Sequence, residues 1–505
     1  MSPPLRAAQR AVRARPPPPP RAGRLARRLP STAIIYPWQT TSIRASQYRN
    51  RSSPRANASR AGGEIYIVGG WVRDSIRGVA CNDIDLATSL GAPQVKEAVA
   101  GLGTVYDIGE KFGTIGVVLD EYKLEITTYR RDEYTAGSRH PAVSPVSGIL
   151  EDLARRDFTI NSLAVSVEPE PGRLIDPLDG LTDISRGVIR TCGKPAPRMS
   201  EDPLRMMRAV RFASQLGYSI VPALHAALRE NSPLLDSISR ERRRDELERI
   251  LTSEYAGAGV RMLIETGLMA FVSPEVSAMR GVEQPPAYHR ADVLEHTILT
   301  IGYLEPDPLL RRAALFHDVG KPPAKVTEPK TMFPEHDKLG ESLTREAMRR
   351  LRYSNDDVQK TTFLVRRHMR PIQFRSDWSN SAVRRLVRDC VLSKEGEVLV
   401  PLESVVELSR ADIRAGSLET VGPNLALVDE LGERIKDLQA VGKVETAHSP
   451  LDGADLMEIF GRPPGPWLKQ VKEHLLHLVL EEELEQGDRD GAAGRAREFL
   501  ESDGE

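Results

Sequence analysis

From Glu64 to about Val167, short runs rich in β-branched residues alternate with turns: "IYIVGG", "NDIDLAT", "TIGVVL", "KLEITTY" and "TINSLAVSV". Runs of this length and composition predict strands, and "GAPQVKEAVAGL" among them predicts one helix. The segment reads as a small α/β domain around a mixed sheet, left through the turn-rich "DPLDGLTDISRGVIRT". From Glu201 to about Ser273 the period changes, and apolar residues return every three or four positions in "LRMMRAVRFASQLG" and "ELERILTSEYAGAGVRMLIETGLM", which predicts helices. After the loop "EQPPAYHR" a second helical region is expected from about Ala291 to Ala415, with further helices to about Glu485. The acidic, Gly-rich last stretch is expected to fray. The fold class is multidomain α+β: an α/β head over 64–190, an all-α neck over 191–285, helical regions over 286–415 and 416–485, and a flexible tail over 486–505.

At 505 residues the chain exceeds one ordinary domain, in keeping with this division. No apolar run approaches the ~20 residues of a membrane span, so a soluble protein with no membrane partner is expected. Cys81, Cys192 and Cys390 lie far apart with no CxxC spacing, which indicates neither a disulfide framework nor a zinc knuckle. Residues 1–63 differ from everything after them: 13 arginines, five consecutive prolines from Pro16, and no acid before Glu64. That is the composition of an organelle transit peptide, mitochondrial by its arginine content with plastid delivery open. A basic nucleic-acid-binding arm, or an over-extended start of a cytoplasmic protein, is the alternative. Without this segment 57 basic residues face 71 acidic ones, a net charge of about −14, so any nucleic acid must be held by local arginine clusters such as "RERRR" and "LVRRHMR". Each cluster alone also fits a solvated helix face.

The stretch "YIVGGWVRDSIRGVACNDIDLATS" carries the chemistry of the head. Gly69 and Gly70 let the backbone turn tightly and offer N–H groups to a phosphate, with Arg73 in reach. Residues i and i+2 of a strand share a face, so Asp83 and Asp85 present two carboxylates to one spot, where they repel unless a divalent cation lies between them. Glu125 in "KLEITTY" offers a third carboxylate on a neighbouring strand. Phosphate-binding backbone beside a Mg²⁺ carboxylate cluster is what nucleotidyl transfer requires.

"GGWVRD…NDIDLATS", followed in order by "LARRDFTINSLAV", "EDPLRMMRAVRFASQLG" and "SRERRRDELERIL", resembles the class II CCA tRNA nucleotidyltransferase and bacterial poly(A) polymerase family, a branch of the polymerase-β-like nucleotidyltransferases. The likeness runs from Glu64 to about Leu480 and leans towards the bacterial, actinobacterial-type CCA-adding enzymes. It implies a nucleotidyltransferase head, Mg²⁺ as cofactor, and tRNA, CTP and ATP as partners. In "RRDFTIN", Arg155, Arg156, Asp157 and Asn161 offer groups for ribose and phosphate; a buried ion pair is the other reading of Asp157. In "EDPLR", Asp202 and Arg205 stand three apart, expected on one face of a helix. Cytosine and adenine share an amino donor beside a ring-nitrogen acceptor, and uracil and guanine carry the reverse. An aspartate that accepts and an arginine that donates would therefore take C and A, with Glu201 and Arg208 as orienting neighbours; an N-capping Asp202 with a surface arginine is the alternative. The polar loop "TTYRRDEYTAGSRHP", with Arg130, Asp132 and Arg139, corresponds to the family's flexible loop that helps the switch from C to A and favours complete CCA addition; a surface loop with no role is the alternative.

A second site is expected from "DVLEHTIL", "ALFHDVGKP", "PEHDKLG" and "SRADIRA", which supply His296, His317, Asp318, His336 and Asp412. Mixed imidazole and carboxylate donors suit a divalent metal. The adjacent His-Asp pair resembles the HD phosphohydrolase superfamily, with His368 a further candidate ligand, and implies hydrolysis of nucleotides or RNA ends. Three functions follow: CCA addition with an accessory HD activity; a poly(A) polymerase, or an enzyme adding only CC or only A; and an HD phosphohydrolase whose head merely binds RNA.

Overall fold

The structure, a computed structural model, describes residues 63–109, 113–119, 122–133, 142–146, 148–168, 170–441, 448–481 and 483–502. The transit-peptide-like segment lies outside the described residues except for Gly63. Two compact units emerge: the described residues up to Arg242 with Ser253–Tyr255 and Met262–Phe271, and Arg243–Thr252 with Ala256–Arg261 and the described residues from Val272 onward. No helix among the described residues is long and apolar enough to cross a membrane.

In the first unit the strands are β1 (Ile65–Val68), β2 (Asp83–Thr88), β3 (Thr104–Gly109), β4 (Thr114–Leu119), β5 (Tyr122–Thr128), β6 (Arg130–Glu133), β7 (Ala142–Pro145), β8 (Ala164–Glu168) and β9 (Leu174–Ile175). Seven of them form one sheet in the order β3-β4-β5-β2-β1-β8-β9. It is mixed: β2 and β5 run parallel, while β1 pairs antiparallel with both β2 and β8. Period-2 alternation divides its side chains between two cores. Ile65, Ile84, Leu86, Leu124 and Ile126 face one core with helices α1 (Gly70–Ile76) and α2 (Ala92–Val99). Tyr66, Val68 and Ala87 face the other with Tyr129 and helix α3 (Ile149–Ala154). Asp83 and Asp85 share the face of Ala87, at the end of β2 that this second core leaves uncovered.

Three local expectations are corrected here. "TINSLAVSV" is not one strand: Thr159–Asn161 makes a 3₁₀ turn before β8 begins at Ala164. The expected turn-rich exit folds into helix α4 (Gly180–Arg186) and strand β10 (Val188–Ile189). Asp176 explains the helix, because its carboxylate accepts the N–H groups of Gly180 and Leu181 at 2.7 and 3.0 Å and nucleates the first turn. The polar loop after β5 is a β6–β7 hairpin at its base, with Asp132 in β6; Arg139 lies outside the described residues. Helices α5 (Pro195–Glu201), α6 (Leu204–Leu216) and α7 (Pro222–Asn231) follow, with β11 (Ser219–Ile220) pairing parallel to β10. Next in the chain come α8 (Arg240–Leu251) and α9 (Ala256–Glu265).

The second unit is helical: α10 (Val293–Gly302), α11 (Pro308–Phe316), α12 (His336–Arg350), α13 (Asn355–Arg367), α14 (Asn380–Asp389), α15 (Leu402–Ala415), α16 (Leu418–Val441), α17 (Gly453–Phe460), α18 (Pro466–Leu480) and α19 (Arg489–Ser502). Asp292, Asp307, Ser354 and Ser379 cap α10, α11, α13 and α14 by accepting the N–H three residues on, which is why the helices start where they do. A small hairpin, β12 (Leu392–Lys394) and β13 (Glu397–Val400), interrupts the expected run of helices.

The tail does not fray as expected. Ala492 and Ala496 are fully buried, and Phe499 and Leu500 pack with them against Leu475 and Leu478 of α18. The i, i+4, i+7, i+8 spacing gives α19 an apolar stripe that its interspersed glycines and charges of both signs concealed. Ala496→Asp, which puts an unpaired carboxylate into this contact, is expected to destabilise α19 by about 3 kcal/mol. Faster tryptic release of the tail would register it; unchanged cleavage would mean that the helix does not pack.

Candidate active site and metal centre

The parallel register sets Asp83 opposite Lys123 and Asp85 opposite Glu125, so Asp85 and Glu125 stand side by side on the face that also carries Asp83. On its other side Asp85 is paired with Val68, the last residue of β1, which brings the carboxylate against the glycine turn. Gly69 has φ +73° and ψ −136°, a backbone state open essentially to glycine. A Cβ there would lie 3.0 Å from Asp85 Oδ2 and 3.2 Å from Arg156 Nη1. Glycine therefore serves a second purpose, admitting a carboxylate and a guanidinium directly over the turn.

Crowding raises the Asp85 carboxyl above its ordinary value: partial burial is the main cause, Arg156 opposes it, and Asp83 adds repulsion. Although the Asp85 residue as a whole is exposed, the neighbours around its carboxyl account for this loss of hydration. Glu125 is raised likewise by desolvation, then by Asp85 and Asp83. Two carboxyls raised in this way beside the Asp83 carboxylate, open to solvent on one side, fit a divalent cation.

The arginines around this cluster are held by a chain of acids. Asp152, 1% exposed as a side chain, pairs with Arg155 at 2.7 Å and Arg156 at 3.2 Å. Burial alone would raise its carboxyl, but Arg156 and Arg155 outweigh that and lower it. Arg73 bonds Asp74 through Nε and Nη2 and donates Nη1 to Asn161 Oδ1 at 2.7 Å. Asn161 in turn donates to Asp157 at 3.4 Å, and Asp157 accepts from Arg208 Nε at 2.8 Å and from the Phe158 N–H at 2.9 Å. Burial opposes ionisation of Asp157, yet Arg208 and these donors hold its carboxyl below the usual range. Asp157 thus sits in a buried ion pair.

"EDPLR" differs from expectation. Asp202 and Arg205 do not share a helix: α5 stops at Glu201, Asp202 is extended at φ −140° and ψ 98°, and α6 begins at Leu204. Pro203 disfavours a helical residue before it and so breaks the run. The Asp202 carboxylate accepts the Leu204 N–H at 3.1 Å, while Arg205, 6% exposed, bonds Glu201 at 2.9 Å and the Arg198 carbonyl at 3.2 Å. Arg198, which the motif reading passed over, bonds Glu201 and the backbone carbonyls of Arg155 and Arg156.

The second unit brings together His296, His317, Asp318, His336 and Asp412, and His368 with them. His296 Nε2 lies 2.7 Å from Asp412 Oδ1, and His317 Nε2 lies 3.2 Å from Asp318 Oδ2. Two groups, His296–His317–Asp318 and Asp318–His336–His368, each hold their ligand atoms within 4.8 Å of one another. All are buried except His336, which is partly open. Burial pulls His317 down, but Asp318, Asp412 and the Ala314 carbonyl outweigh it and keep it above the usual imidazole value. Burial also opposes the Asp318 charge, which His317 and Lys321 stabilise well below the carboxylate range. His368, buried beside His317 and His336, is pushed down to about 3. Sequence reading missed Lys321, whose Nζ lies 2.8 Å from Asp318 and 2.6 Å from Gln284, and His289, whose ring stands 4.8 Å from that of His296. His289 falls in a Pro-rich loop with no periodicity to flag it.

Family comparisons match residues 65–190 to the poly A polymerase head domain, 217–279 to the probable RNA and SrmB-binding site of polymerase A, and 293–401 to the HD domain. A CCA-adding enzyme of Geobacillus stearothermophilus is 32% identical over 434 residues, covering 84% of this chain and 90% of the relative. The chain belongs to the tRNA nucleotidyltransferase family. An A-adding tRNA nucleotidyltransferase of Deinococcus radiodurans is also 32% identical, over 421 residues, 80% of this chain and 89% of the relative. Among solved structures, the Bacillus stearothermophilus CCA-adding enzyme in complex with CTP covers 90% of this chain and 99% of its own, with 28% identity and a TM-score of 0.63. Within this nucleotidyltransferase, Gly69→Ala is expected to cost about 1–3 kcal/mol from backbone strain and to suppress nucleotide addition by displacing Asp85. Gly70→Ala, whose Cβ would meet only Arg73 Nη2 at an ordinary 3.6 Å, is expected to lose less stability. Thermal melts of both variants check this; equal losses would remove the special role of Gly69.

Proposed function

We propose that this nucleotidyltransferase builds or repairs the 3′ CCA end of tRNA from CTP and ATP. The observation that carries it is the in-register cluster of Asp83, Asp85 and Glu125 beside the Gly69–Gly70 turn, in a chain similar over most of its length to CCA-adding enzymes. In this reading Asp83, Asp85 and Glu125 hold Mg²⁺, which would activate the attacking hydroxyl and steady the pyrophosphate leaving group. Gly69 and Gly70 present backbone to the triphosphate. Arg156, poised between Asp85 and Asp152, balances phosphate charge next to the carboxylates. Arg73 with Asn161, and Arg208 with Asp157, form the wall on which ribose and phosphate rest.

Asp202 and Arg205 select the base in this proposal. The broken helix supports it: Asp202 leaves the helix axis, while Glu201 and the Arg198 carbonyl fix the Arg205 guanidinium, so acceptor and donor are set by separate restraints. Arg130 and Asp132 at the base of the β6–β7 hairpin, with Arg139 from the sequence that joins its two strands, would form the element that switches from C to A. Arginine clusters of the helical regions would supply phosphate contacts to tRNA. The HD centre would carry a divalent ion on His296, His317, Asp318, His336 and Asp412, where mixed nitrogen and oxygen donors favour a transition metal. A-only addition is the second reading, favoured by the similarity to the Deinococcus radiodurans A-adding enzyme.

Incubating tRNAs that end before CCA, after C, after CC and after CCA with single nucleotides separates the readings. Ordered addition of C, C and A supports CCA synthesis; addition of A only to the CC end supports the second reading; processive A on any RNA overturns both. Asp85→Asn is expected to lower addition by about 10²–10³-fold or more, and Asp202→Ala to admit UTP or GTP while still joining nucleotides.

The arginine-rich, acid-free segment 1–63 supports delivery to an organelle, the mitochondrion first, although the relatives compared are bacterial. Mass spectrometry of the native N-terminus tests it: a chain starting within or just after this segment agrees, and an intact Met1 overturns it.

A further inference from the structure

We infer that the second unit carries a binding site for a nucleoside monophosphate in the cleft between α12 and α13, lined by residues that belong to neither centre described above. The cleft has a volume of about 580 Å³, within the roughly 300–1,000 Å³ of small-molecule sites. None of the HD histidines or aspartates lines it. Helical spacing builds its walls: Glu341, Arg345 and Arg349 recur every four residues along α12, and Asn355, Gln359, Phe363 and Arg366 every three or four along α13.

Charge decides what the cleft accepts. Of its four arginines, Arg345 bonds Glu341 at 2.6 Å, and Arg366 pairs with Asp337 and reaches Glu341 at 3.8 Å, so these two are compensated and held in direction. Arg349 and Arg367 have no acidic partner among the described residues, and the Arg367 Nε is buried without a hydrogen-bond partner. Four arginines against two acids leave a charge of +2. A phosphate monoester carries roughly −1.5 to −2 near neutral pH and matches that excess better than a singly charged diester. Guanidinium forks are also the groups that grip phosphate through paired N–H donors.

The rest of the wall suits a base. Val358 is buried, Phe363 and Leu392 are half-buried, and the Arg367 guanidinium lies over the Phe363 ring, 5.9 Å from its centre. Flat aromatic and guanidinium surfaces of this kind are what nucleobases stack on. Asn355 and Gln359, both exposed and without a side-chain partner among the described residues, offer amide donors and acceptors to a base edge. An RNA strand would require a groove that tracks successive phosphates, whereas this cleft is local, so the occupant is a free mononucleotide.

The full-length chain would be illuminated with 8-azido-AMP in the presence of chelator, and the labelled peptides located by mass spectrometry. Label on peptides of α12 or α13 is expected, with protection by unlabelled AMP at concentrations where adenosine and inorganic phosphate do not protect. Arg349→Ala, at an exposed position, is expected to leave the thermal melt unchanged and to lower this labelling about tenfold, the loss of one charge-assisted contact. Undiminished labelling in that variant overturns the charge argument. Label confined to the head, or absent from both helices, overturns the site. Equal protection by inorganic phosphate overturns the nucleotide and leaves an anion site. Stronger protection by 5′-phosphorylated tRNA than by AMP, lost with 5′-hydroxyl tRNA, overturns the free mononucleotide and assigns the cleft to an RNA end. If Arg349→Ala unfolds, the position of the label in the unaltered chain and its protection pattern decide alone.

Discussion

Repulsion among Asp83, Asp85 and Glu125 is the constraint around which the head is organised. Left to themselves, three carboxylates would turn away from one another into water. The sheet prevents this, because the parallel register of β2 and β5 fixes Asp85 beside Glu125 and strand periodicity keeps Asp83 on the same face. Apolar packing supplies the force that opposes the repulsion: Ile84, Leu86, Leu124 and Ile126, on the opposite face of the same two strands, are anchored in the core. A slip of one residue would turn the acids inward and these apolar side chains outward, so the fold that hides the apolar set also concentrates the acids.

The positive charge nearby is held back from those acids by equally definite restraints. Arg156 could collapse onto Asp85 and neutralise it, but Asp152 takes one end of its guanidinium. Arg73 is turned to Asp74 and Asn161, and Arg208 to Asp157. Each arginine meets a buried partner that fixes its direction. The result is a surface where acids remain under-compensated on one side and donors are preoriented on the other, the arrangement expected of a site that must receive both a cation and a polyphosphate.

How much of this was legible in the sequence follows the range of the interactions. The glycine turn and the Asp-x-Asp pair were readable because they obey local rules, a positive φ and a period of two. The HD pair was readable because adjacent histidine and aspartate at a helix end carry ligand chemistry in themselves. Pro203 is the local signal that Asp202 and Arg205 do not share a helix, since it disfavours a helical residue before it even where a three-residue spacing suits one helix face. The stripe of Ala492, Ala496, Phe499 and Leu500 was masked by glycines and by charged neighbours of both signs, since alanine contributes little to a hydrophobic pattern yet packs closely. Asp152, Arg198 and Lys321 each meet an opposite charge three or four positions away, pairs that local spacing alone could have flagged, whereas the neighbour of His289, His296, lies on another element and only the assembled structure brings the two rings together.

The two centres handle buried charge in opposite ways, and the difference bears on what each can accept. The head keeps its acids at an open sheet end, which in the proposed function lets a cation arrive with a nucleotide and leave with the pyrophosphate. The HD cluster closes its histidines and Asp318 among helices, with the backbone carbonyls of Ala314, Phe333 and Val365 facing the Nδ1 atoms of His317, His336 and His368 and Lys321 compensating the carboxylate. His336 is the one partly open member of the cluster. Such an interior holds its donors in place by itself, because the carbonyls of Ala314, Phe333 and Val365 and the Lys321 ammonium set the geometry beforehand.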